Sequence, residues 1–101
     1  MTISTELLAA AKNYLDITWT DEAADLKLTG QLKRGINYII SKTGVDSSAF
    51  EVEGREQELL FNYVLYDRSG SVDQFKVNYR SDLIGLRMRQ EVENYAATSE
   101  A

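Results

Sequence analysis

The chain of 101 residues contains no proline and only six glycines. Proline breaks the interior of helices and central strands, and glycine is the residue that most often ends a helix. A sequence with no proline and few glycines favours long, uninterrupted helices. Hydrophobic residues make up 44% of the chain, which at this length is enough to bury one core. We therefore predict a single all-α domain that spans residues 1–101.

Four helices are predicted in a bundle-like arrangement, with a long second helix and a long C-terminal helix. They cover residues 5–15, 20–43, 55–68 and 73–97. Thr20 has the oxygen side chain of an N-cap, and Gly44 is placed to end the second helix in the left-handed conformation. Residues 45–54 are predicted to form a polar loop, and residues 98–101 a frayed tail.

One glycine stands inside a predicted helix rather than at its end. Gly35 interrupts the apolar stripe of the second helix, where glycine is less favourable than alanine by about 1 kcal/mol. A close approach of another helix at this point would explain the glycine, because the missing side chain lets two backbones come together. We therefore predict such an approach at Gly35.

The predicted C-terminal helix has two apolar stripes on nearly opposite sides at about 100° per residue. The first stripe consists of Phe75, Tyr79, Leu83 and Leu86. The second stripe consists of Val77, Ile84, Met88, Val92 and Tyr95. A surface helix of a monomer needs only one apolar stripe. Either the first two helices cover the second stripe, or a partner covers it. At about 25 residues, or roughly 37 Å, this helix should also overhang the bundle.

Aromatic side chains are numerous for this length, with six tyrosines and one tryptophan. Tyrosine has an apolar ring and a polar tip, which suits half-buried positions and interfaces. Trp19 follows the first predicted helix and is expected to plug one end of the bundle.

The chain has no cysteine and no histidine. Thiol catalysis, disulfide scaffolds, Cys/His zinc sites and histidine general bases are therefore excluded. The sequence has no glycine-rich phosphate loop and no serine nucleophile elbow. Asp67, Ser69, Ser71 and Asp73 alternate as in a calcium loop, but its twelfth position is Asn78 instead of glutamate. A helix-capping turn explains the same residues. We predict no enzyme, and no catalytic, cofactor-binding or metal-binding residue.

The formal net charge is −5, from 16 acidic and 11 basic residues. This balance argues against free duplex DNA as a partner, because phosphate binding needs clustered lysine and arginine. Arg80, Arg87 and Arg89 give the last helix a basic side. Arg87 with Glu91, and Arg89 with Glu93, are spaced for ion pairs within the helix. We expect this side to be a neutralised surface or the charged rim of an interface.

Acidic residues cluster at the start of the second and third predicted helices. The clusters are Asp21, Glu22 and Asp25, then Glu51, Glu53, Glu56 and Glu58. Carboxylates favour the positive end of a helix dipole, so a solvated acidic surface is the expected interpretation. Such a surface repels phosphate and could line a passage for DNA.

Chemistry alone thus indicates a small acidic helical domain with surplus apolar surface, typical of a building block or an adaptor. The alternative is an acidic interaction module, such as a regulator or a DNA-mimic inhibitor. A mimic should show carboxylates at regular spacing along one exposed face, whereas the clusters here lie at helix starts.

A set of landmark residues runs through about residues 5–95 of the chain. The first half contributes Leu7-Leu8, Lys12, Tyr14-Leu15, Trp19, Asp21, Asp25, Leu28, Leu32, Gly35, Tyr38-Ile39-Ile40 and Gly44. The second half contributes Leu59-Leu60, Tyr63, Tyr66, Asp73, Phe75, Asn78-Tyr79 and the stretch from Leu83 to Arg87. With these residues the sequence resembles the head–tail connector proteins of tailed bacteriophages and prophages, also called head completion or adaptor proteins.

The resemblance implies a structural role in virion assembly and DNA packaging. Members of this family form a homo-oligomeric ring, commonly of twelve subunits, between the portal and the next stopper or tail protein. The ring extends the channel through which genomic DNA passes without specific binding. The C-terminal helix is the element expected to engage the portal and neighbouring subunits. The candidate interface residues are therefore Val77, Ile84, Arg87, Met88, Val92 and Tyr95.

The resemblance also implies a location at the capsid–tail junction of the virion, and in the bacterial host cytoplasm during assembly. The free protein is expected to be a monomer that joins its ring on the portal. No membrane partner is expected, because the longest apolar run is far shorter than the roughly 20 residues of a membrane span.

Overall fold

Every regular element in the described part of the chain is helical. The computed structural model describes residues 2–19 and 21–99, and no strand occurs there. Five α-helices are present in these ranges: α1 Thr5–Tyr14, α2 Glu22–Thr43, α3 Arg55–Arg68, α4 Val72–Asn78 and α5 Arg80–Ser99. A 3₁₀ helix, Ser47–Glu51, precedes α3. The all-α prediction is confirmed.

Side-chain and glycine caps define the ends of the first two helices. Ser4 caps α1, its hydroxyl accepting a 3.0 Å hydrogen bond from the Leu7 backbone N–H. Asp21 caps α2 through its carboxylate. Thr20, the predicted N-cap, lies outside the described residues, and the cap at Asp21 replaces it. Gly44 ends α2 at φ 75°, as predicted, and its N–H donates to the Ile40 carbonyl at 2.8 Å.

The prediction of one C-terminal helix over residues 73–97 is wrong, because the chain turns at Tyr79. Tyr79 has φ −108° and ψ 13°, outside the helical region, and so separates α4 from α5. The break lets α4 pack on α3 while α5 packs along α2. The tail also differs from the prediction, since α5 extends through residue 99. Residues 100 and 101 lie outside the described part.

The core forms where α2, α3 and α5 meet, and the 3₁₀ helix and α1 close its sides. Its fully buried large side chains are Phe50, Phe75, Leu7, Leu28, Leu32, Ile39, Leu60 and Val64. Phe50 lies in the segment predicted as a polar loop. The Gln57 side chain donates a 3.1 Å hydrogen bond to the Phe50 carbonyl, which satisfies that buried backbone group.

The predicted close approach at Gly35 is confirmed. A Cβ atom at this position would lie 2.7 Å from Leu60 Cδ1 and 2.9 Å from Tyr63 Cδ1. Both distances are shorter than real Cβ contacts allow, so α3 packs directly on the α2 backbone here. The gain in packing explains why glycine occupies a helix interior.

Gly35→Ala is expected to lower the free energy of unfolding by up to about 2 kcal/mol, because an overpacking cost of about 1–3 kcal/mol opposes a helix-propensity gain of about 1 kcal/mol. The matched control is Gly85→Ala in α5, where a Cβ would meet nothing within 4 Å. That change should stabilise the protein by up to about 1 kcal/mol. Urea unfolding followed by circular dichroism measures both, and equal effects of the two changes would contradict the prediction.

Aromatic rings from α2, α3 and α4, together with Tyr79, cluster around Phe75. The Phe75 ring lies 5.3 Å from Tyr63 and 4.8 Å from Tyr79 between centroids, and Tyr38 stacks on Tyr63 at 5.8 Å. Desolvation by burial raises the pKa of Tyr38, Tyr63 and Tyr79 above its ordinary value. The Asp67 carboxylate adds to the increase in the pKa of Tyr63, and Tyr66 adds to that of Tyr79.

These raised pKa values predict that the protein loses stability at high pH. The unfolded chain releases the phenolic protons at a lower pH than the folded chain does. The stabilising contribution is therefore complete below about pH 10 and is lost as pH rises through the folded-state pKa values. Unfolding free energies measured across this range should fall. The double variant Tyr38→Phe/Tyr63→Phe, which cannot ionise there, should show a smaller decrease, and an unchanged decrease would refute this origin.

Candidate functional site

The second stripe is exposed to solvent. Its five side chains are between 48% and 77% exposed: Val77, Ile84, Met88, Val92 and Tyr95. The interpretation that the first two helices cover this stripe is therefore wrong. Leu83 and Leu86, on the other side of α5, are buried and form the face of this helix that packs on the bundle.

The exposed residues of α5 form one continuous face. Ile84, Met88, Val92 and Tyr95 fall within about 80° around the helix axis, at 100° per residue. Val77 is carried by α4, before the turn at Tyr79, and so belongs to a separate helix. The sequence pattern grouped the four α5 residues correctly around one helix axis, but it was wrong to place Val77 on the same helix.

The C-terminal part of α5 extends past the bundle. Residues 91–96 are all exposed. Just before them, the Cγ atom of Gln90 lies 4.0 Å from where a Cβ on Gly44 would stand. The molecule accordingly measures 49 Å in its longest direction and 28 and 19 Å in the others. An overhanging helix end presents apolar side chains such as Val92 to solvent.

Two ion pairs fasten the first half of α5 to the start of α3. Arg55 Nη2 lies 2.5 Å from Asp82 Oδ1, and Arg89 contacts the Glu56 carboxylate. Both pairs connect positions far apart in sequence. As partly exposed pairs they contribute at most about 1 kcal/mol each to the attachment of α5, in addition to the burial of Leu83 and Leu86.

The predicted ion pairs within α5 are confirmed. Arg87 Nε lies 3.1 Å from Glu91 Oε1, and Arg89 Nε lies 3.8 Å from Glu93 Oε1. Arg80 forms no ion pair with any other described residue. Arg80 and Arg87 are seven residues apart, so they lie on the same side of α5, next to Ile84.

An open groove of about 820 Å³ lies between the end of α1 and the start of α3. Tyr14 and Phe61 form its aromatic floor, with ring centroids 5.2 Å apart. Glu53 and Glu58 stand at its edge and form no ion pair within the described part of the chain. The two acids were expected to be plain solvated surface, and the groove beneath them was not foreseen. It depends on α1 meeting α3, which no local sequence signal reports.

Polar side chains of the calcium-like turn bond to residues of the neighbouring helices. Asp67 pairs with Arg34 at 2.9 Å, and the Ser69 hydroxyl donates to the carbonyls of Leu65 and Tyr66. Among residues 2–19 and 21–99, no group of three acidic side chains is arranged to hold a metal ion. Likewise, none of the described helices has the length and apolar character needed to span a membrane.

Trp19 does not plug the bundle as predicted, since more than half of its side chain is exposed. It stands in the connection between α1 and α2. It adds a further exposed aromatic group to the surface.

Comparison with protein-family models, with curated proteins and with solved structures finds no match for this chain. The resemblance to connector proteins is therefore a hypothesis that depends on the sequence landmarks.

Proposed function

We propose that this protein is a structural assembly protein of a tailed bacteriophage or prophage. In this proposal it is a head–tail connector that forms an oligomeric ring between the portal and the stopper or tail protein and extends the DNA channel. The observation that supports it is the exposed part of the second stripe on α5, Ile84, Met88, Val92 and Tyr95, opposite the face that the bundle buries. A protein that works alone has no need for this second apolar face, whereas a building block of an assembly does.

The energetics of the stripe suit assembly on a preformed ring. Complete burial of a large aliphatic side chain contributes about 1.5–3 kcal/mol, so half-exposed residues contribute about 1 kcal/mol each. Part of this gain is offset by the translational and rotational entropy lost on association. A single docking contact is thus weak. When many identical contacts act in one ring, their effects combine, and the complete ring is stable.

The charge of the protein also agrees with a role around DNA. The net charge of −5 disfavours binding to phosphates. A ring whose inner surface carries unpaired carboxylates would let DNA slide through without adhering. Glu22 and Asp73, which form no ion pair among the described residues, are available for such a surface.

The test is the light-scattering mass of the purified protein, first alone and then with the portal ring encoded by the same genome. We expect a monomer, or a small oligomer, that joins the portal as a ring of defined mass. A portal that assembles correctly and binds none of this protein would refute the proposal. That result would favour the acidic interaction module, unrelated to virion assembly.

A further inference from the structure

We propose that the second stripe of one copy packs into the α1–α3 groove of the next copy. Here the groove is the space above Tyr14 and Phe61, bordered by Glu53 and Glu58. The inference deepens the proposed function and rests on it, because a ring of identical subunits needs two unlike surfaces that bind each other. Both surfaces are present on this chain.

The two surfaces cannot meet within one copy. Leu83 and Leu86 turn α5 toward its own core, so the second stripe points away from the bundle. The groove lies between the end of α1 and the start of α3, and the side of α5 that faces it there carries Asp82, which pairs with Arg55, and not the stripe. Only a second copy can bring a stripe and a groove together, and the contact is then head to tail.

The charges at the two surfaces are complementary. Arg80 and Arg87 border the stripe beside Ile84, and Arg80 has no ion-pair partner in the described ranges. Glu53 and Glu58 border the groove and likewise form no ion pair there, whereas Arg55, the cation of the same lining, is paired with Asp82. Copies with a net charge of −5 repel each other as a whole, so contact is favoured where opposite charges face each other.

The groove also has room for the stripe. The α5 part of the stripe is a ridge of Ile84, Met88 and Val92. The groove, at about 820 Å³, is large enough for several side chains of such a ridge, and its floor is aromatic. Partly exposed aromatic rings are typical of the centre of protein interfaces. Tyr14, which is nearly half exposed in one copy, would be covered by Met88 of the next.

The experiment mixes two variants that each keep one surface. Met88→Asp disrupts the stripe, and Glu53→Lys/Glu58→Lys disrupts the groove. Self-association of the wild type is measured by sedimentation equilibrium over a wide concentration range. We expect each variant alone to stay a single chain, while an equimolar mixture forms a two-chain complex and grows no further. One intact stripe then meets one intact groove.

Matched controls separate these effects from general changes in charge and folding. Leu26→Asp alters an exposed apolar side chain of α2 outside both surfaces, and Glu22→Lys/Asp73→Lys alters charge by the same amount as the groove variant. Both controls should associate like the wild type. Reversing the charges of one surface alone, by Arg80→Glu/Arg87→Glu or by Glu53→Lys/Glu58→Lys, should weaken association at least tenfold. Combining both reversals in one chain should restore it.

Two results would overturn the inference. If the groove variant self-associates like the wild type and Met88→Asp does not join it, the contact is stripe to stripe. If the wild type stays a single chain at every concentration and the groove variant still joins the portal ring normally, the copies do not use this contact. In that second case the connector function stands. Stripe-to-groove association without any portal binding would instead refute the function and keep the inference.

Discussion

Replacing Phe75 by alanine is expected to lower the free energy of unfolding by about 3–5 kcal/mol. Phe75 is completely buried, and its ring lies within 6.3 Å, between centroids, of the rings of Tyr38, Tyr63, Tyr66 and Tyr79. Removing it leaves a cavity at the junction of α2, α3 and α4, and every neighbouring ring loses contacts. A domain of this size has a total stability of only about 5–15 kcal/mol, so the loss is a large part of it.

Thermal unfolding followed by circular dichroism measures this effect. With roughly 4–8 °C per kcal/mol for a domain of up to 100 residues, the midpoint should fall by well over 10 °C. Val77→Ala is the matched control, because Val77 lies two residues away on α4 and is 70% exposed. Its midpoint should change by at most a few degrees. Similar decreases for the two variants would show that the aromatic cluster does not hold α4 in place.

Val92→Asp is expected to abolish assembly with the portal while the chain stays folded. Val92 lies on the overhanging part of α5, where a charged side chain remains in water in the free protein. The substitution should change the free energy of unfolding by no more than about 0.5 kcal/mol. In the assembly, the substitution removes apolar burial and traps a charge at the contact. Each contact then loses about 2 kcal/mol or more of binding free energy, which is roughly 30-fold in affinity. These losses combine around the ring. Ile84→Asp should act in the same way.

Helical circular dichroism and portal binding are measured together on each variant. Leu86→Asp is the contrasting control, because Leu86 faces the core from the same helix and its replacement should unfold the protein. Val92→Ile, which keeps the apolar surface, should assemble like the wild type. A folded Val92→Asp variant that still forms the ring on the portal would exclude the second stripe from the interface.

The helices and most of their ends could be predicted because their causes are local. Apolar spacing at three and four residues identifies a helix whatever surrounds it, and Gly44 ends α2 because the left-handed conformation costs glycine nothing. The close contact at Gly35 could also be foreseen, since glycine weakens a helix interior unless a neighbouring helix packs against it. The ion pairs Arg87–Glu91 and Arg89–Glu93 follow from helical spacing alone.

The turn at Tyr79 and the burial of Phe50 could not be predicted from local pattern. Each side of Tyr79 is a good helix, and the chain turns only because α4 and α5 pack against different neighbours. Phe50 lies in a segment rich in serine and acidic residues, and its burial depends on the surface that α2 and α3 provide. Trp19 illustrates the opposite case, because it is a large aromatic residue that stays exposed.

The sequence by itself determined that this protein is a set of amphipathic helices, with an extra apolar stripe near the C-terminus and no residues for thiol or histidine chemistry. Only the tertiary structure decided that the stripe is exposed and that an acidic groove with an aromatic floor lies between α1 and α3. The physical reason is that periodicity reports how residues are arranged around one helix axis. Exposure depends on which other helices pack against that axis, and those contacts join residues that lie far apart in the chain.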